Sequence, residues 1–261
     1  MSWRKALSLI TNSVFSALIP EVCLLCGTGN LEGLTSICPE CRTSLRWVLS
    51  PICKVCGRPL STFEKERSNL CGACLSNPPV YDMARYGLYY ENLVRVAITR
   101  FKFNASLYSS KPLADLLIET FNRYYVNENF DVILPVPVHT RRLMARGFNQ
   151  VTILSEKLAE ATGIPLDRTS LVKTKNTEPQ VRLSRAKRLL NLANAFQIKQ
   201  QKTIVNKRVL VVDDVSTTGA TINEVSKVLR KAGANYVGVI ILAFRMHDGA
   251  IKAINDDTKN S

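Results

Sequence analysis

The sequence predicts an α/β fold, a parallel sheet with helices on both faces, behind an amino-terminal cysteine-rich module. From residue 131 onward, apolar β-forming runs alternate with amphipathic stretches, the order that builds parallel sheets. All eight cysteines lie before residue 75, every one in a C-x-x-C pair. At 261 residues, 46% apolar and 21% charged, the chain is long enough to bury a sizeable core, which argues against disorder.

In chain order, Trp3, Leu7, Ile10, Val14 and Leu18 recur at helical spacing after Arg4 and Lys5, predicting an amphipathic helix over 1–20. Asn12 and Ser13 interrupt it, and no small-residue cleavage site precedes Cys23, so a secretory signal is not expected. Packing of this helix on its own protein is favoured over a membrane-surface position. No apolar run reaches the roughly 20 residues that a spanning helix needs. The expected location is cytoplasmic, with peripheral contact at the inner membrane face as the alternative.

The pairs Cys23/Cys26, Cys38/Cys41, Cys53/Cys56 and Cys71/Cys74 predict two structural Zn²⁺ sites in a double zinc ribbon over 21–79. Two thiolates at this spacing turn onto one face of a tight knuckle, and two pairs complete a tetrahedron. Gly27, Gly57 and Gly72 stand where a knuckle needs positive φ. A disulfide framework is the competing reading and would require export, for which no signal is present. Closed four-cysteine sites leave no open position, so chemistry at the metal is not expected. Two such centres would lower the formal charge of +14 to about +10, still basic enough to attract phosphates on a small molecule or a nucleic acid.

Tandem prolines in "SNPPVYD" mark a boundary, and residues 80–130 form a connecting or hood region. Aromatics and β-formers fill 84–103. Pro112, Leu113, Leu116, Leu117 and Phe121 predict a helix over 112–124. Within a 131–247 domain, "DVILPVPV" reads as a buried strand ending at Pro135, and "GFNQVTILSEKLAEATG" as a helix stopped by Gly163. "KRVLVVDD" is a second strand, 222–232 a helix stopped by Gly233, and "YVGVIILAF" a third strand. Residues 248–261 are read as a polar, disordered tail.

"VLVVDDVSTTGAT" (209–221) places Asp213 and Asp214 at a strand's carboxyl end, where open parallel sheets bind ligands. Ser216, Thr217, Thr218, Gly219, Ala220 and Thr221 turn into the next helix, whose first amides and positive dipole end make an anion cradle. Carboxylates cannot bind the same anion, so they should hold a neutral or cationic neighbour. A ribose with vicinal hydroxyls and a 5′-phosphate meets both demands. A Walker B strand would need G-x-x-x-x-G-K-[ST], and the chain has no Gly-Lys dipeptide. A phospho-receiver domain would need more chain after residue 214.

That segment resembles the phosphoribosyl-diphosphate signature of type I phosphoribosyltransferases. "PVPVHTRRLMARGFNQ" (135–150) and "TEPQVRLSRAKRLLNLANAF" (177–196) resemble segments of ComF-family competence proteins, and "LVRVAITRFKFNAS" behind cysteine ribbons completes that family's order. The resemblance implies that Asp213 and Asp214 bind the ribose hydroxyls of phosphoribosyl diphosphate held with Mg²⁺, and that the 216–221 amides hold its 5′-phosphate. Val138, His139 and Arg142 fall in the implied pyrophosphate loop. Gln180, Arg185, Arg188 and Asn191 fall in the implied mobile loop, with Arg182 beside them.

The implied reaction displaces pyrophosphate from C1′ through an oxocarbenium-like transition state. Arg141, Arg142 and Arg146 are suitable cations for the leaving group, with Arg146 counted among the catalytic residues beside Asp213 and Asp214. Without an orienting partner in view, His139 reads as a loop histidine rather than an acid or base. The acceptor is not legible. Tyr86, Tyr89, Tyr90, Phe101 and Phe103 either stack a base or fill a small core, with core preferred. The expected function is a phosphoribosyltransferase-like protein in DNA uptake and natural transformation, with DNA-uptake proteins as partners. The alternative is a non-catalytic protein on the same scaffold that binds single-stranded DNA or regulates.

Overall fold

The computed structural model describes residues 22–23, 25–29, 37–103, 107–175 and 192–246. The helix expected over 1–20, the 248–261 tail, and Gln180, Arg182, Arg185, Arg188 and Asn191 lie outside the described residues. The chain divides into two compact units, 1–45 and 46–261. No described helix is long and apolar enough to cross a membrane.

In the smaller unit, Cys38 is the N-cap of α1 (Pro39–Thr43): its sulfur accepts from the Cys41 N–H, and Pro39 occupies the first turn, where a missing N–H costs little.

The larger unit begins with a second cysteine knuckle carrying α2 (Thr62–Arg67) and α3 (Gly72–Ser76). Ser61 and Glu64 close a reciprocal capping box on α2. Gly57 takes φ +70°, and a Cβ there would fall 2.2 Å from the Ala84 carbonyl oxygen, so only glycine lets the knuckle lie this close to β1 (Met83–Tyr89). The Ala84 N–H donates to Val55 O at 2.7 Å across the same contact. Gly72 departs from expectation. It opens α3 with an ordinary backbone rather than a left-handed one, because Cys71 caps that helix and supplies the turn.

Beyond β1 come α4 (Asn92–Phe103), α5 (Leu107–Tyr124), β2 (Val132–Pro135), α6 (Thr140–Arg146), α7 (Gln150–Thr162), β3 (Leu171–Lys173), β4 (Phe196–Ile198), β5 (Arg208–Ser216), α8 (Ala220–Lys231) and β6 (Tyr236–Phe244). The sheet is parallel throughout, in the order β1-β6-β5-β2, and β3 pairs antiparallel with β4 as a separate hairpin. Its central strands are buried on both faces, which is why they read as continuous Val/Ile/Leu runs. α5 and α7 cover one face, while α8 packs with β4 and β6 on the other. The α8 stripe Ile222, Val225 and Leu229 is at most 1% exposed against Val209, Val211, Val239 and Ile241, each side chain stabilising by about 1.5–3 kcal/mol. Tyr125 fixes the opposite layer, its buried hydroxyl donating to Val239 O at 2.8 Å.

Two boundaries differ from the sequence reading. α5 begins at Leu107, with Pro112 inside it rather than at its first turn, since the proline ring matches helical φ and sacrifices one hydrogen bond. β5 continues past the acid pair to Ser216 because β6 stays in register with it as far as Phe244, so the turn starts at Thr217.

Candidate functional site

Because β2 and β5 are neighbours, the loop after Pro135 and the segment after Asp213 emerge at one carboxyl edge. The Val136 N–H donates to Val212 O at 2.9 Å, and Asn149 at the N-cap of α7 donates to Val136 O at 3.1 Å, pinning the loop that contains Val138. His139 caps α6, its Nδ1 accepting from the Arg141 N–H at 3.2 Å, which leaves the ring proton on Nε2. The loop histidine thus has a structural duty that sequence could not reveal.

The acid pair is buried, Asp213 8% and Asp214 7% exposed. Asp214 Oδ2 receives Lys102 Nζ at 2.8 Å and Gln150 Nε2 at 3.0 Å, and Oδ1 accepts the Val215 N–H at 2.7 Å. Burial is the largest influence on Asp214 and pushes its pKa up, but the Lys102 charge and these hydrogen bonds together hold it below the usual carboxylate range. Asp213 is the reverse case. Burial first, then the Asp214 charge, push it up to about 8. The coupled pair therefore retains a proton that isolated carboxyls would lose, with Asp214 facing Lys102 as its more acidic member.

Cations surround the pair. Arg146 Nη1 reaches Gln150 Oε1 at 3.5 Å, two hydrogen bonds from Asp214. Arg142 is lowered by burial and then by repulsion from Arg146. Lys173 on β3 is lowered to about 8 by burial and by Arg142, with Asp213 pulling the other way. Positive groups that depress one another beside a half-protonated acid pair form an environment that an anion would relax.

Next to it, Gly219 is the N-cap of α8 at φ +73° and, as a glycine, supplies no capping side chain of its own. Thr218 Oγ1 accepts the Ala220 N–H at 3.4 Å, and Thr217 and Thr221 stand on either side of the turn. Ser216 hydrogen-bonds Tyr86 through its side chain, and its carbonyl accepts from the Arg245 N–H at 2.9 Å. Lys102 and Gln150 lie inside the segments that resemble the family, and neither has a role legible from the sequence. The available signal for Lys102 was a lysine on the apolar face of "ITRFKF".

Each group of four cysteines forms one cluster, with all Sγ atoms within 4.8 Å of one another. Cys26 and Cys38 Sγ lie 3.8 Å apart and Cys56 and Cys71 Sγ 3.5 Å. Four thiolates on one Zn²⁺ at 2.3 Å would sit about 3.8 Å from each other. Backbone N–H groups of Cys38 and Cys41 point at Cys23 and Cys38 sulfurs at 3.3 and 3.4 Å, and those of Cys71 and Cys74 at Cys53 and Cys71 sulfurs, each at 3.4 Å. The donor sets fit Zn²⁺, and consecutive C-x-x-C motifs share a cluster, a pairing that the sequence left open.

Two family models match the chain, the double zinc ribbon domain over residues 14–75 and the phosphoribosyl transferase domain over residues 106–258. "Competence protein F" of Haemophilus influenzae is 35% identical over 227 residues, covering 85% of this chain and 96% of that protein. "DNA utilization protein YhgH" of Salmonella typhimurium is 30% identical, again across 85% and 96%. "Competence protein ComFC" of Bacillus subtilis is 27% identical across 86% and 95%.

Proposed function

The chain belongs to the ComF family of competence proteins, with a phosphoribosyl transferase domain behind a double zinc ribbon, and from that premise we propose that it binds phosphoribosyl diphosphate with Mg²⁺ at the Asp213/Asp214 edge and acts in DNA uptake. The single observation carrying this reading is the juxtaposition of the coupled carboxyls with the glycine-capped amino end of α8.

Ribose 2′ and 3′ hydroxyls would donate to Asp213 and Asp214, which become a two-carboxylate acceptor once Asp213 ionises. The amides from Thr217 to Thr221 would hold the 5′-phosphate, where the helix dipole favours a dianion. Arg142 and Lys173, with Arg146 behind them, supply positive charge where a diphosphate would lie, and that charge would stabilise pyrophosphate as it departs. Bound Mg²⁺ would neutralise the same leaving group. Lys102 and Gln150 hold Asp214 in position and orient the pair. The two zinc sites act as scaffold and take no part in transfer. The relatives, a competence protein and a DNA utilization protein by name, support a role in handling incoming DNA.

Calorimetric titration with phosphoribosyl diphosphate and Mg²⁺ tests the reading. Wild type should bind, and Asp213→Asn/Asp214→Asn should lose at least about a hundredfold in affinity, two charge-assisted hydrogen bonds' worth. Equal binding by both proteins would overturn it. Pyrophosphate release on adding bases, nucleotides or single-stranded DNA would establish turnover.

A further inference from the structure

We propose that the cavity over the carboxyl ends of β1 and β6 is a binding site for a nucleotide that carries its phosphate. The cavity measures about 830 Å³, within the roughly 300–1,000 Å³ usual for small-molecule sites. Its walls combine three aromatic rings, Tyr89, Tyr90 and Phe244, with three guanidinium side chains, Arg95, Arg100 and Arg245.

Two of the three rings are packed, and the backbone of the third is fixed, before any ligand arrives. Phe244 packs on Tyr86 at 4.8 Å and on Tyr89 at 6.4 Å between ring centroids, and the Tyr90 N–H donates to Phe244 O at 2.7 Å. Of the aromatics weighed as core or base platform, Tyr86 and Phe101 are core, whereas Tyr89 and Tyr90 remain partly open at this cavity. Partly open aromatic rings in a cavity wall stack a planar ring whatever the base.

Charge fixes the second requirement. The one acid in the wall, Glu91, is already bonded to Arg46 Nη1 at 3.0 Å, and the Arg46 guanidinium lies 4.8 Å over the Tyr89 ring. Among the described residues Arg95, Arg100 and Arg245 have no carboxylate partner. A free base would leave three guanidinium groups uncompensated, and inorganic phosphate would leave the rings uncovered. A nucleotide satisfies both.

The position gives the occupant a task. Phe244 stands in register with Ser216, and Arg245 donates its N–H to the Ser216 carbonyl, so the cavity opens one strand from the α8 cradle. α4 spans both places, turning Arg95 and Arg100 to the cavity and Lys102 to Asp214. Resting on the phosphoribosyl reading above, the nucleotide lies where an acceptor would meet C1′.

The zinc-loaded full chain is titrated with thymidine 5′-monophosphate, thymidine, inorganic phosphate and a short oligothymidylate. The monophosphate should bind at least about tenfold more tightly than thymidine or phosphate. Arg95→Gln/Arg100→Gln should cost about tenfold or more, with Arg95→Lys/Arg100→Lys retaining most of the affinity. Tighter binding of the oligomer assigns the nucleotide to single-stranded DNA, and equal binding assigns it to free nucleotide. Thymidine binding as well as its monophosphate, or a folded Gln variant matching wild type, overturns the site. The same Gln variant should bind phosphoribosyl diphosphate as wild type does. Nucleotide binding without phosphoribosyl diphosphate binding would sink the earlier reading and leave this site standing; the reverse pattern would sink only the site.

Discussion

Lys102 Nζ lies 2.8 Å from Asp214 Oδ2, joining a helix that crosses the strand ends to the second of two adjacent carboxyls 112 positions later. Desolvation lowers the lysine's pKa, and the Asp214 charge more than restores it, so each group remains charged because of the other. Lys102→Gln removes that compensation and leaves Asp214 buried and unpaired. The expected loss is between about 1 and 3 kcal/mol at neutral pH, below the 3–5 kcal/mol of fully buried pairs because the lysine side chain is 23% exposed. Urea unfolding measures it, and an unchanged midpoint would show that the pair contributes nothing net.

Asp213 makes stability pH-dependent in the unusual direction for a carboxyl. Its folded pKa of about 8 stands above the ordinary 3.8, so between those values the native state holds a proton that the unfolded state has released. The stabilisation it contributes is complete below the unfolded value and is lost as pH rises through the folded one. Thermal unfolding of the wild type between pH 6 and 8 should therefore show stability falling, by at most about 1.4 kcal/mol per pH unit. Asp213→Asn should flatten that slope. If ribose hydroxyls donate to the pair, affinity for phosphoribosyl diphosphate should strengthen across the same interval, because ionised Asp213 is the better acceptor.

The cysteine clusters predict about two zinc per chain by elemental analysis. Cys41→Ser and Cys56→Ser should each release one. Cys56→Ser should also lower the unfolding temperature of the α/β unit, because the second knuckle is hydrogen-bonded to β1 through Ala84 and Val55. Gly57→Ala probes the same junction without touching a ligand. It adds a Cβ against the Ala84 carbonyl at a positive φ, and a cost of about 2 kcal/mol or more is expected.

How far the sequence sufficed follows from which interactions are local. The β2, β5 and β6 runs were legible because strands buried on both faces must be apolar throughout. The β-formers of 84–103 were ambiguous, and tertiary packing divides them: Met83–Tyr89 pairs with β6, while Val94, Ala97, Ile98 and Phe101 bury one helical stripe of α4. The β3–β4 hairpin has only three residues per strand, too short for any period to register. Asp213 and Asp214 stood out because two acids follow four apolar residues, but Lys102 and Gln150 reach them only through the fold's topology. The same holds for the aromatic cavity, whose rings come from strand ends more than 150 residues apart.

Gly219 offers the sharpest separation of binding from folding. Its φ of +73° sets the turn that directs the first α8 amides outward, and a Cβ there would meet only Tyr81 Oη, at 3.9 Å. Gly219→Ala therefore costs stability through backbone strain alone, about 1 kcal/mol, with no steric clash to add. If those amides hold a phosphate, a small change in their direction degrades several hydrogen bonds at once. Affinity for phosphoribosyl diphosphate, and for inorganic phosphate as a minimal probe, should fall by at least about tenfold while the far-ultraviolet circular dichroism stays unchanged. Retained affinity in a folded Gly219→Ala protein would mean that the α8 amino end is not where the phosphate sits.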